Sequence, residues 1–110
     1  MKQNLVLLLA FLFPSFLLAQ QSGTGIKGCV IGAESNRPVP GVIVTLNGEG
    51  RQTRTDVKGT FFFDKVSPGK DVLVFNSVGI NPKNLLVEVA EGMVTDLGEV
   101  KVVELTVTDN

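Results

Sequence analysis

Residues 55–63 read TDVKGTFFF: an acid, a glycine three positions later, then three phenylalanines in succession. An Asp at the first position of a turn and a Gly at the fourth fit a type I turn followed by a left-handed glycine. The carboxylate can accept hydrogen bonds from backbone N–H groups inside that turn, which fixes the corner. Past Gly59 the strand period of two places Phe61 and Phe63 on one face, with Thr60 and Phe62 on the other. A calcium loop would need several more oxygen ligands at close spacing. Here Val57 and Lys58 follow Asp56, and a lysine repels a metal ion. The stretch reads as a β corner that delivers two phenylalanines to a core.

Working outward, short β-branched runs are separated by turn signals about every ten residues, the spacing of an all-β sandwich or barrel. Seven strands are predicted, over residues 26–31, 41–46, 51–55, 60–64, 71–75, 85–89 and 97–105. Outside the first 19 residues no window holds an amphipathic helical period, so little or no helix is expected. Val42, Val44 and Leu46 alternate with Ile43 and Thr45, and Leu85, Val87 and Val89 form a second inward row with Glu88 outward. Rows of this kind meet between two sheets in a core about 10 Å thick. Pro38 and Pro40 cannot donate to a ladder, so they stiffen the approach to the second strand and protect an edge.

A chain of 110 residues allows one domain. Residues 1–19 have a short positive start, an apolar run and a small residue before Gln20, the layout of a secretory signal peptide. A transmembrane helix competes with that reading, but the run falls short of the ~20 residues a bilayer needs and Pro14 interrupts it. The expected organisation is a signal peptide at 1–19, a flexible leader at 20–25, a β-sandwich domain at 26–105 and a frayed terminus at 106–110. No membrane span is expected once the signal is removed.

Without Lys2, nine basic residues stand against eleven acidic ones, a net charge of −2. The cations are scattered and neither Tyr nor Trp is present. A nucleic-acid interface, which wants a basic stripe and stacking aromatics, is not expected. Cys29 is the single cysteine, so no internal disulfide forms. It lies well past the apolar run, behind Lys27, which argues against lipidation and for a free thiol in a strand; an intermolecular disulfide stays open in an oxidising compartment.

The reactive inventory is thin. There is no His, which removes the commonest acid–base group and a leading zinc ligand. One Cys and no His make neither a Cys/His pair nor a Ser/His/Asp triad. The acids are spread through turns and strand ends, and no two present themselves as a facing pair. Ser67 and Ser77 stand beside turn signals with no motif around them. GTGIKG at 23–28 has G-x-G spacing but precedes a strand instead of joining a strand to a helix, so it is not a phosphate loop. No catalytic, metal-binding or cofactor-binding residue is assigned, and no cofactor is expected.

Three stretches in order, PVPGVIVTL (38–46), TRTDVKGTFFF (53–63) and VLVFNSVGI (72–80), resemble the carboxypeptidase regulatory-like domain. The resemblance runs from Ile26 to about Leu105. It implies a seven-stranded, transthyretin-like, Ig-like Greek-key sandwich with antiparallel or mixed sheets. Two departures stand out: the acid and turn glycine of the first motif are shifted to Gly32 and Glu34, and Ile80 replaces the aromatic that usually follows the last glycine. The resemblance also implies a non-catalytic module, because the domain accompanies a peptidase without carrying its zinc chemistry. In exported Bacteroidetes proteins it precedes the plug and barrel of TonB-dependent outer-membrane receptors.

The expected function is therefore an exported, non-enzymatic protein-interaction or scaffolding module of the periplasm or outer membrane, with an envelope protein as partner. The unpaired sandwich edges offer docking by strand addition. A carbohydrate-binding module is one alternative, with Phe62 as the aromatic placed to meet a glycan. A remnant N-terminal domain of a longer receptor is another, and a small hydrolase is disfavoured by the missing acid–base residues.

Overall fold

The computed structural model describes residues 23–105. The expected signal peptide and frayed terminus lie outside them. The strands are β1 Gly25–Gly32, β2 Ile43–Leu46, β3 Arg51–Arg54, β4 Thr60–Phe63, β5 Gly69–Asn76, β6 Lys83–Val89 and β7 Val94–Val102. They form a three-stranded sheet in the order β4-β1-β7 and a four-stranded sheet in the order β3-β2-β5-β6. All neighbours are antiparallel except β1 and β7, which run parallel. Apart from a single 3-10 turn at Asn47–Glu49, the described chain has no helix.

The predicted alternation decides what fills the core. Val42, Val44 and Leu46 are buried from the larger sheet, and Ile26, Phe61 and Phe63 from the smaller one. Phe61 and Phe75 meet edge to face across the interior, with ring centroids 5.6 Å apart and planes at 73°. That geometry suits the ring quadrupoles and couples the two sheets at one point. Val87 and Val89 are buried as expected, and Leu85 packs against the core from its rim.

Several boundaries differ from those expected. Gly25, assigned to the leader, begins β1, and the neighbouring Thr24 is buried. The Gly25 amide donates to the Met93 carbonyl at 3.0 Å and Thr24 Oγ1 accepts from the Gly92 amide at 2.8 Å. Those partners, 68 residues away, are invisible to local composition. β2 starts at Ile43, two residues late, because Gly41 sits at φ +75° and bends the approach. β5 begins two residues early, at Gly69.

β7 is shifted as well, to 94–102 instead of 97–105. Residues 103–105 leave the sheet and fold over the turn after β5: Asn81 donates to the Val103 carbonyl and Leu105 donates to the Gly79 carbonyl. Ile80 bridges Glu104 there and is itself buried. Gly98 at φ +66° takes up an extra residue opposite Gly28, between the Lys27–Asp96 and Cys29–Glu99 pairs. This is a glycine bulge that bends β7 along β1.

Candidate functional site: a groove on the smaller sheet

The TDVKG corner borders a broad concavity on the smaller sheet. The Gly59 amide donates to the Asp56 carbonyl at 2.8 Å, closing the turn. The Asp56 carboxylate then collects three donors: Lys58 N–H at 3.0 Å, Thr60 N–H at 2.9 Å and the Thr60 hydroxyl at 2.6 Å. The Thr60 hydroxyl and amide, with help from the Lys58 amide and charge, hold the carboxyl below its ordinary 3.8. Gly59 is obligatory for two reasons. Its φ is +78°, and a Cβ there would stand 2.5 Å from the Val30 carbonyl oxygen.

Buried Thr55, just before the corner, ties it to the incoming loop. Its hydroxyl donates to the Val39 carbonyl and accepts from the Val42 amide, both at 2.8 Å. At the far end of β4, Arg51 donates to the carbonyls of Asp64 at 2.6 Å and Lys65 at 3.2 Å. The same guanidinium lies 5.6 Å from the centre of the Phe63 ring and pairs with Glu49 at 3.2 Å. The Ser67 amide, more than Arg51, holds the Glu49 carboxyl below its usual value.

Between these two ends, the outer face of β4-β1-β7 carries a groove of about 780 Å³. Register builds its floor as two cross-strand rows, Phe62–Lys27–Asp96 and Thr60–Cys29–Glu99. Thr53 and Arg54 of β3 and the Asp56 corner form one wall. Phe62 is 50% exposed, as expected from its parity. Its ring lies across Gly25, where a Cβ would come within 3.3 Å of Phe62 Cε1. A side chain at position 25 would press on that ring and stand 2.7 Å from the Phe63 carbonyl oxygen.

Several of the groove's polar groups are engaged locally. Asp56 is ionised and saturated by its own turn. Asp96 accepts from the Gly98 amide at 2.9 Å and sits 3.9 Å from Lys27 Nζ, with both side chains more than half exposed. An exposed pair of that length contributes little. The half-buried Cys29 thiol donates to the Lys58 carbonyl at 3.3 Å, and no histidine exists to draw off its proton. Among the described residues no group of three His, Cys, Asp or Glu is placed to hold a metal ion. No helix among them is long and apolar enough to cross a membrane.

Asp56 and Gly59 stand out in the sequence only as turn-formers, Phe62 as a surface aromatic and Cys29 as a free thiol; that Lys27, Asp96 and Glu99 gather beside Asp56, Phe62 and Cys29 emerges from the fold. Lys27 shares β1 parity with Cys29, which was a usable signal. The β7 residues were not recoverable, because the glycine bulge resets which residues face outward. Ser67 and Ser77 remain outside the groove.

A family model for the carboxypeptidase regulatory-like domain matches residues 25–108. The comparison with curated proteins gives no match. Among solved structures, the chain is similar to GBS52, the minor pilin of Streptococcus agalactiae, at TM-score 0.63 and 14% identity over 82% of this chain and 48% of that one. It is also similar to a type II cohesin–X-dockerin complex from Acetivibrio cellulolyticus, at TM-score 0.62 and 18% identity over 73% of this chain and 57% of that one. The major pilin subunit BcpA of Bacillus cereus aligns at TM-score 0.58 and 11% identity, over 76% and 31%. The chain thus spans less than two thirds of each of these proteins, and the likeness is one of fold.

Proposed function

The chain belongs to the carboxypeptidase regulatory-like domain family, and on that footing we propose that it is an exported, non-catalytic module that binds another protein of the cell envelope through the β4-β1-β7 face. The observation that carries this reading is the groove itself. It presents a half-exposed aromatic and a run of backbone, while Asp56, Asp96 and the Cys29 thiol are tied up in local hydrogen bonds. A surface of this kind, with no histidine on it, suits binding a partner better than shuttling a proton. The pilin and cohesin relatives are named for assemblies, which supports an interaction role for the shared sandwich. The signal-like residues 1–19 support export, with the periplasm or outer membrane as the destination. A TonB-dependent transport system is the partner setting suggested by the family's recurrent position ahead of such receptors.

The test is a photo-crosslinking amino acid placed at position 62, with a second at exposed position 52 on the other sheet as control. Illumination of cells should yield one adduct of defined mass from position 62, recovered in the envelope fraction. An adduct-free position 62, or the same adducts from both positions, would overturn the proposal. Mass spectrometry of that adduct tests the TonB association separately, since a receptor peptide is expected in it. Phe62 in the groove also favours a second reading, a glycan stacked on its ring. A glycan array with binding abolished by Phe62→Ala would establish that reading in place of the first.

A further inference from the structure

A second surface emerges from the four sheet edges, because three of them are closed and one is open. Along β4, the Thr60 carbonyl accepts from the Asp56 amide and the Asp64 carbonyl is capped by Arg51. Backbone groups alternate in direction along an antiparallel strand, so Phe62 alone has both its N–H and C=O free at that edge. β7 is bent by the Gly98 bulge, and its Lys101 carbonyl is capped by Lys83 Nζ at 2.8 Å. β3 is four residues long and carries Arg51 and Arg54, so a second copy laid against it would bring like charges together. Short strands, bulges and capping cations are the usual protections of an edge.

β6 lacks these protections. It is seven residues long, pairs with β5 along its whole length, and no side chain among the described residues hydrogen-bonds its backbone. Its outward face carries Asn84, Leu86 and Glu88, with Leu86 71% exposed. We propose that β6 pairs antiparallel with β6 of a second copy, with Leu86 on the two-fold axis, making one continuous eight-stranded sheet.

The register follows from parity and complementarity. In a continuous sheet, residues opposite each other must share a face, so the axis passes through a residue position and not between two. Centring on Leu86 sets Leu86 against Leu86 and Asn84 against Glu88 of the other copy. Because Leu86 already faces Val72, and Glu88 faces Lys70, within each copy, the dimer carries a Val72–Leu86–Leu86–Val72 ladder across the axis. It also carries a Lys70–Glu88–Asn84 polar row on each side. Centring on Leu85 puts Leu86 against Asn84, and centring on Val87 puts it against Glu88. Both of those registers waste the exposed leucine. Self-complementarity of this kind is what an isologous two-fold interface requires, and cross-strand pairs are the unit that stabilises it.

The experiment measures the mass of the purified protein by sedimentation equilibrium across a concentration series, then repeats it with Leu86→Lys. The expected result is a concentration-dependent doubling of mass that Leu86→Lys abolishes, with circular dichroism unchanged. Register is read in a Cys29→Ser background. Directly opposite Cα atoms are about 4.5–5.5 Å apart, a span a disulfide accommodates, so Leu86→Cys should give an oxidised dimer. Asn84→Cys alone should not, since its copy would lie roughly 13 Å away, four residues along the partner strand. A mixture of Asn84→Cys and Glu88→Cys proteins should crosslink. A monomer at every concentration, a dimer indifferent to Leu86→Lys, or crosslinking by Asn84→Cys alone as efficient as by Leu86→Cys would each overturn the proposal.

Discussion

β4 and β6 are both edge strands, and they are treated in opposite ways. β4 holds three consecutive phenylalanines and is shut at each end, by the Asp56 turn and by the Arg51 guanidinium. β6 holds two leucines, and among the described residues no side chain caps it. A four-residue strand has few backbone groups to protect, and two side chains suffice for it; a seven-residue strand has more than its neighbours in this fold can reach. The comparison teaches that edge protection here is a local product of turn chemistry. The β3–β4 corner and the residues flanking it supply capping groups, while the chain leading into β6, around Asn81 and Pro82, supplies none to β6 itself.

The sharpest way to break the closed edge is Gly59→Val. It forces a β-branched residue to φ +78° and drives a Cβ against the Val30 carbonyl, a combination expected to cost about 3 kcal/mol or more. Urea denaturation monitored by circular dichroism measures it. An unchanged midpoint would mean that the corner is free to reshape.

Asp56→Ala comes next, because it removes three hydrogen bonds from one turn. Its loss has a pH signature with a definite sign. The carboxyl is depressed below its ordinary 3.8 in the folded protein, so its contribution is fully present above that value and disappears as the pH falls through the lower, folded one. The stability curves of the two proteins should therefore differ at neutral pH and converge below about 3.8; parallel curves down to pH 2 would refute the assignment.

Arg51→Ala follows, with an expected loss of about 1–2 kcal/mol for two carbonyl caps and the contact with Phe63. Arg51→Lys should recover only part of it, since an ammonium cannot fork between two carbonyls. The smallest effect belongs to the open edge. Leu86→Lys should change the unfolding free energy of the isolated subunit by no more than about 0.5 kcal/mol, since the side chain is mostly exposed and within the subunit pairs across the strand only with Val72. A large change there would mean that Leu86 supports its own sheet and not a second copy.

Much of this molecule was legible from residue order. Strand number, the inward rows, the Asp56 turn and the parity of Phe61, Phe62 and Phe63 all follow from a period of two and from the backbone preferences of Asp and Gly. The register of β7 was not legible, because a bulge at a single glycine inverts the faces that alternation assigns. Thr24 and Gly25 read as leader because Gly and Thr carry no strong strand signal, yet the Met93 carbonyl and the Gly92 amide draw them into the fold. The groove was half legible: Phe62 and Cys29 were in hand, but Asp96 and Glu99 arrive on a strand more than 60 residues beyond Cys29.

By itself, then, the sequence determined the all-β class, the β corner at TDVKG and the absence of histidine-based chemistry, because those depend on local dihedral preference and on composition. Only the tertiary structure decided that Arg51 and Lys83 would close edges, that Phe62 would lie over Gly25 beside Lys27, and that among the described residues no side chain would cap β6. Each of those depends on which distant strands become neighbours, and that pairing is set by the packing of the two sheets as a whole.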